Sequence, residues 1–236
     1  VVNHASSFAA VLAAVEAALG GGELLGQKVL VSAGGTREPI DAVRYIANRS
    51  SGKQGNAVAA EAASRGADVV LVTTQPNSAP TGVRIIAVET AAEMAAACEL
   101  EAPDSALVVM AAAVADFRPA EPADGKLKKV DGAPAVVLVP TIDILATLGA
   151  AKPAGQTLIG FAAETDDLVT NAAGKLARKN LDLIVANDVS KPNVGFGHST
   201  NEVVLLLSDG TRHDVPLSDK REIACAVLDA ALGYRS

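Results

Sequence analysis

From residue 28 onward, apolar and polar positions fall into two alternating patterns. Short blocks rich in Val, Leu and Ile are separated by longer stretches in which small apolar residues, mostly Ala, recur at helical spacing. The first block, KVLVSA at 28–33, opens into a glycine pair and reads as a buried parallel strand. Further strands are expected over 68–74, 83–88, 105–112, 156–162 and 182–187. Helices are expected over 52–65, 91–101, 142–149, 165–180 and 218–232, with Gly66 placed to end the first. The stretch 114–129 is charged and irregular. Two hairpins are predicted, because an Asp-Gly pair tolerates the positive φ of a tight turn: 126–139 around Asp131-Gly132, and 202–207 with 211–216 around Asp209-Gly210.

Strands alternating with helices point to an α/β fold: a doubly wound, Rossmann-like, mostly parallel sheet with a β-hairpin flap and a C-terminal antiparallel hairpin. Residues 1–26 read as an N-terminal helix or linker, with an Ala-rich helix over 5–19 ended by Gly20-Gly21-Gly22. Residues 27–236 read as one domain without internal repeats. In such sheets ligands bind beyond the carboxyl ends of the strands, which directs attention to the loops 33–51, 111–129, 161–165 and 187–200.

Composition narrows the function classes. Half of the 236 residues are hydrophobic, yet no apolar run approaches the roughly 18 residues of a membrane span, and no secretory signal is read. Cys98 and Cys225 lie far apart without CxxC spacing, so neither a disulfide framework nor a zinc site is expected, and a reducing cytoplasmic setting is. A net charge of −7 and 3% aromatic residues argue against nucleic acid as a partner. Ten of the 20 Lys and Arg nevertheless cluster in 37–53, 126–129 and 175–179. That unevenness points to a small phosphorylated ligand.

The individual motifs are modest. Gly34-Gly35 follows the first strand where a dinucleotide fingerprint belongs, but the G-x-G-x-x-G spacing is absent and Thr73-Thr74-Gln75 stands where the ribose-binding acid should be. An NAD(P)-linked oxidoreductase is therefore the alternative reading, and a non-catalytic nucleotide-binding protein a third. A Walker loop fails as well, since Gln54 follows Gly52-Lys53 and Ala47 replaces the first glycine. The run Asn48 to Gly55 leads directly into a helix, where backbone N–H groups suit an anion; an ordinary Ser cap with a solvated Lys explains the same residues. Lys175 and Lys179 leave one helix face and suit either a polyphosphate or solvent. Lys126, Lys128 and Lys129 also fit a charged edge that blocks aggregation. His4, His198 and His213 have no metal-ligand spacing.

Taken in order, several segments resemble phosphopantothenoylcysteine synthetase over about 27–232. They are GGTREPID at 34–41, Val43-Arg44, NRSSGKQG at 48–55, AAAVADFRP at 111–119, KLKK at 126–129, GFAAET at 160–165 and AND at 186–188. The KLKK segment and the alanine run are similar to the bacterial, CTP-using type, often fused or associated with a phosphopantothenoylcysteine decarboxylase. The resemblance implies a ligase joining 4′-phosphopantothenate and L-cysteine with CTP and Mg²⁺ through an acyl-cytidylate, working as a homodimer with shared active sites. It carries catalytic roles to Asn48, which holds the acyl intermediate, and Lys126, on a mobile flap. It carries nucleotide binding to Gly34, Ser50, Gly52, Gly55, Met110, Ala111, Ala112, Asp116, Lys126, Ile142, Asp143, Ile144, Phe161, Lys175, Lys179 and Asn187. Phosphopantothenate binding falls to Arg44, reaching from a neighbouring subunit, and to Asn48, Ala112, Ala113 and Asp116. No metal ligand is assigned.

Overall fold

A computed structural model describes residues 22–129, 135–164, 167–188 and 198–235. The expected helix over 5–19 and the Asp131-Gly132 turn lie outside the described residues. In chain order the elements are β1 (Lys28–Ala33), β2 (Arg37–Pro39), β3 (Tyr45–Ala47), α1 (Lys53–Ser64), β4 (Asp68–Thr73), β5 (Arg84–Ala87), α2 (Ala91–Glu101), β6 (Leu107–Met110), β7 (Phe117–Pro119), β8 (Leu138–Pro140), α3 (Ile144–Ala151), β9 (Thr157–Glu164), α4 (Leu168–Arg178), β10 (Leu183–Asp188), β11 (Thr200–Leu207), β12 (Arg212–Asp219) and α5 (Lys220–Arg235).

Eight strands form the main sheet in the order β12-β11-β10-β9-β6-β1-β4-β5. The six from β10 to β5 run parallel, and β11 and β12 add an antiparallel edge, as expected of the C-terminal hairpin. Alternation along each strand divides two cores. Val29 and Val31 of β1, with Val69 and Leu71 of β4, face α1 and α5 and pack on Val58, Ala62, Ile223 and Val227. Leu30, Val70 and Val72 face the other way, onto Met94 and Cys98 of α2, Ile144 and Leu148 of α3, and Leu176 of α4. Both faces are covered, which explains why the strands read as continuous apolar blocks.

Helix ends follow local chemistry. Thr90 and Glu93 form a reciprocal capping box on α2, and the Asp143 carboxylate accepts from the Ala146 N–H to cap α3. Gly66, at φ 90°, follows the end of α1 as expected. The short hairpin of β2 with β3 was not expected, because three-residue strands carry too little alternation to read. The flap also differs from expectation. Leu138–Pro140, expected within a hairpin over 126–139, pairs instead with Phe117–Pro119. The backbone groups of Leu127 are instead taken by side chains: its N–H donates to Asp41 Oδ2 at 3.1 Å and its carbonyl accepts from Arg44 at 2.8 Å.

Close approach of α1 to β1 depends on Gly55. A Cβ there would lie 2.6 Å from the Ala33 Cβ and 2.8 Å from the Ser32 carbonyl oxygen. Gly55→Ala should therefore lower the melting temperature by at least about 3 °C in thermal denaturation. Overpacking against backbone, at about 1–3 kcal/mol, outweighs the roughly 1 kcal/mol that alanine returns in helix propensity.

Candidate active site

Along the carboxyl edge of the sheet, between β1 and β6 and on toward β10, lies a cavity of about 480 Å³. One wall is the strap that carries Asn48, Ser50 and Gly52 into α1 at Lys53, Gln54 and Gly55. A second is the end of β6, from Met110 through Ala111, Ala112 and Ala113 to Asp116. Ile142, Asp143 and Ile144 close a third side, with Phe161 from β9, Lys175 and Lys179 from α4, and Asn187 from β10. Every residue expected at the site lines this cavity except Gly34, Arg44 and Lys126. Lys53, Gln54, Thr141, Leu145, Asn201 and Lys220 also line it and were not assigned a site role from the sequence. Lys53 and Gln54 lay inside a recognised segment. Asn201 and Lys220 carried no local signal at all.

The glycines hold the strap against the sheet. Gly34 has φ 89°, and a Cβ there would fall on the Thr74 hydroxyl. A Cβ on Gly35 would meet the Asn48 carbonyl at 2.8 Å, and one on Gly52 would lie 3.4 Å from the Gly34 nitrogen. Gly34 thus supports the wall from behind. The turn where a dinucleotide pyrophosphate would need to approach is covered by the protein's own chain, which removes the main support for the oxidoreductase reading. The alanine run is pinned in turn: the Ala112 N–H donates to Ser32 Oγ at 3.1 Å, Ala113 N–H to the Gly34 carbonyl at 2.8 Å, and Ala115 N–H to Thr36 Oγ1 at 2.9 Å. Asn48 spans the two walls, its Nδ2 donating to the Val114 carbonyl at 2.8 Å.

Charges are distributed unevenly. Lys175 pairs with Glu164 at 2.6 Å, and Lys179 with Asp143 at 2.8 Å. Burial alone would raise the Asp143 carboxyl, but the Lys179 ammonium and the Ala146 N–H overcome it and hold the pKa below its ordinary value. Lys220 is 8% exposed; burial first, then the Lys53 ammonium, lower its pKa from the ordinary lysine value. Among the described residues no three His, Cys, Asp or Glu side chains gather as a metal-ligand set. No helix among them is long and apolar enough to cross a membrane.

Arg44 and Lys126 sit together outside the cavity, on the flap side. Asp41, its side chain fully buried, accepts from the backbone N–H groups of Val43 and Arg44 and from the Arg44 guanidinium. With Leu127 bonded to both residues, and Ala123 N–H donating to the Ile40 carbonyl at 2.9 Å, the Asp41–Arg44 pair anchors the segment that carries exposed Lys126.

The chain matches the DNA/pantothenate metabolism flavoprotein C-terminal domain over residues 24–234. It is 45% identical over 224 residues to the coenzyme A biosynthesis bifunctional protein CoaBC of Mycobacterium tuberculosis H37Rv, covering 90% of this chain and 53% of that protein. A relative from an unidentified prokaryote, named cysteine/cysteine sulfinic acid decarboxylase, is 44% identical over 209 residues, 87% of this chain and 58% of its own length. The chain thus spans a little over half the length of these relatives. The crystal structure of the C-terminal domain of a coenzyme A biosynthesis bifunctional protein CoaBC superposes with a TM-score of 0.75 at 38% identity, covering 90% of this chain and 97% of that one.

The Arg44 guanidinium holds the Asp41 carboxyl far below the usual carboxylate range, aided by three backbone N–H groups and opposed by burial. A depressed pKa contributes stability that is present above the unfolded carboxyl value of about 4 and is lost as pH falls. Asp41→Asn should accelerate amide hydrogen exchange at Leu127 by at least about tenfold at neutral pH. Wild-type protein should lose the same protection on acidification, once intrinsic exchange is corrected for.

Proposed function

The chain belongs to the DNA/pantothenate metabolism flavoprotein C-terminal domain family, and on that premise we propose that it ligates 4′-phosphopantothenate to L-cysteine at the expense of CTP. The observation that carries this reading is the convergence of the Asn48–Gly55 strap, the Ala111–Asp116 segment, Phe161, Lys175 and Lys179 on one cavity. A free carboxylate is a poor acyl donor, and here two anionic substrates must also be brought together. In the proposed sequence the carboxylate attacks the α-phosphorus of CTP, pyrophosphate leaves, and an acyl-cytidylate remains. The cysteine amine then attacks the activated carbonyl, loses a proton and expels CMP.

The chain's own residues fit these needs. The strap and the start of α1 offer N–H donors to phosphate. Ile142, Ile144 and Phe161 supply apolar surface for a base. Asn48, with its Nδ2 on Val114, leaves Oδ1 to accept from an incoming amine. Lys126 reaches phosphate when the flap closes over the cavity. Mg²⁺ bound through nucleotide phosphates needs only one or two carboxylates from the protein, and Asp116 on the cavity wall fits that demand. When bound, it neutralises phosphate charge.

Exposed Val43, Tyr45, Phe117, Val137 and Leu138 lie on or beside the two small hairpin sheets, next to Arg44. That apolar surface supports a homodimer in which Arg44 completes the partner's substrate site. Free Cys98, its thiol pushed up to about 12 by burial, and free Cys225 suit a cytoplasmic setting. The bifunctional relatives support a decarboxylase as the associated or fused second unit.

Pyrophosphate release should require both CTP and phosphopantothenate, with ATP a far poorer substitute; equal rates with the two nucleotides would refute the CTP assignment. Lys126→Gln should slow this first step about a hundredfold, equivalent to about 3 kcal/mol, with an unchanged melting curve. Asn48→Asp should still form some acyl-cytidylate, detectable by mass spectrometry, yet fail to pass it to cysteine. Normal product formation would leave Asn48 a structural bridge to Val114. A monomer by sedimentation with full activity would overturn the shared site.

A further inference from the structure

The burial of Asn201 on the cavity wall is explained only in part by its own neighbours. In β11 the buried positions step back from Leu205 through Val203 to Asn201, so an amide stands where the apolar face of the core would continue. Asn201 is 4% exposed and lines the cavity. The register of β11 against β12 shifts between Asn201 and Val203, and at that bulge Asn201 Oδ1 accepts from the Glu202 N–H at 3.1 Å. The bulge thus accounts for the oxygen. It does not account for Nδ2, which has no hydrogen-bond partner among the described residues. A donor held under such burial costs free energy unless an acceptor meets it.

The surroundings define that acceptor. Asn201 pairs across the ladder with Ser218, and Thr200 with Asp219, so Asn201 lies beside the start of α5. Gln54 brings the start of α1 to the same place, its Nε2 donating to the Lys220 carbonyl at 3.2 Å. Helices of 12 and 16 residues therefore begin at this end of the cavity, and helix starts favour negative charge. Ile144, at the start of α3, packs on the opposite face of the sheet from Val203. A nucleotide with its base against α3 extends its phosphates toward Asn201. We infer that Asn201 Nδ2 donates to an oxygen of the terminal phosphates, so that it selects a nucleoside triphosphate over a monophosphate. This inference rests on the nucleotide reading of the cavity. It places a contact on the antiparallel edge of the sheet, whereas the recognised segments all lie at or before residue 188. A neutral donor suits the role, because it binds an ionised oxygen without adding another buried charge.

Isothermal titration calorimetry of the full chain with CTP and, separately, with CMP tests this. Asn201→Asp keeps an oxygen for the Glu202 N–H and replaces only the free donor, with an acceptor. It should weaken CTP binding at least about tenfold, the loss expected of a hydrogen bond to a charged group, and leave CMP within about twofold of wild type. Unaltered CTP affinity in Asn201→Asp would overturn the inference and leave the nucleotide reading intact. A wild-type chain that binds CTP no tighter than CMP would overturn it as well. Equal losses of CTP and CMP would mark a residue that only shapes the bulge, and overturn it too. Should Asn201→Asp not fold, Asn201→Ala is read by the same CTP-to-CMP ratio, which should still fall at least about threefold; an unchanged ratio overturns the inference. Wild-type turnover with CTP is scored independently. A chain that binds CTP through Asn201 but forms no product sinks the ligase reading and leaves this one standing.

Discussion

The site depends on one topological constraint, the parting of the chain between β1 and β6. These strands are hydrogen-bonded neighbours, yet the segment leaving β1 leads to α1 on one face, and the segment leaving β6 leads through the flap to α3 on the other. Adjacent connections that diverge leave a crevice at the carboxyl edge, with no side chain needed to carve it. The residues on its walls then follow from the strands' carboxyl halves: Met110 ending β6 and Ala111 after it, Phe161 within β9, Asn187 within β10. Placing the antiparallel β11 next to β10 extends the crevice further. It brings Asn201 and the first residue of α5 to the same edge.

A crevice is useful only if its walls can be brought close without filling it, and small residues do this. Gly34, Gly35 and Gly52 let the strap lie across the end of β1, and Gly55 lets α1 sit on Ser32 and Ala33. Hydroxyls under that layer, Ser32 and Thr36, bond the alanine run from below. The wall is therefore built from backbone and methyl groups. Ser32 and Thr36, the polar side chains that fix it, are fully buried. Overfilling any one of these contacts would displace a wall that several others share.

Much of this was legible in the sequence. Apolar blocks and Ala-rich intervals identified each strand of the main sheet and each described helix, because burial on both faces leaves a strong period. The order of modest motifs marked most of the cavity wall. What remained hidden had physical reasons. Arg37–Pro39 and Tyr45–Ala47 are too short to show alternation. The partner of Leu138–Pro140 could not be read, because Asp41 and Arg44, distant in sequence, occupy the backbone of Leu127 that a hairpin would have used. That clamp also explains why Arg44 and Lys126, expected at the site, stand together beside it. Asn201 and Lys220 were invisible because they reach the cavity through sheet order, which no local pattern encodes.

The carboxylates around Lys175 and Lys179 bear on how such a cavity stays ready for a polyanion. Glu164 and Asp143 pair with these ammonium groups, and each is itself fixed, the first in β9 and the second as the cap of α3. The lysines are thus aimed before any ligand arrives, so little reorganisation remains when one does. A phosphate entering there exchanges one anionic partner for another, a modest gain. A cavity that already holds its lysines in ion pairs can therefore take up an anion without first rearranging its own side chains.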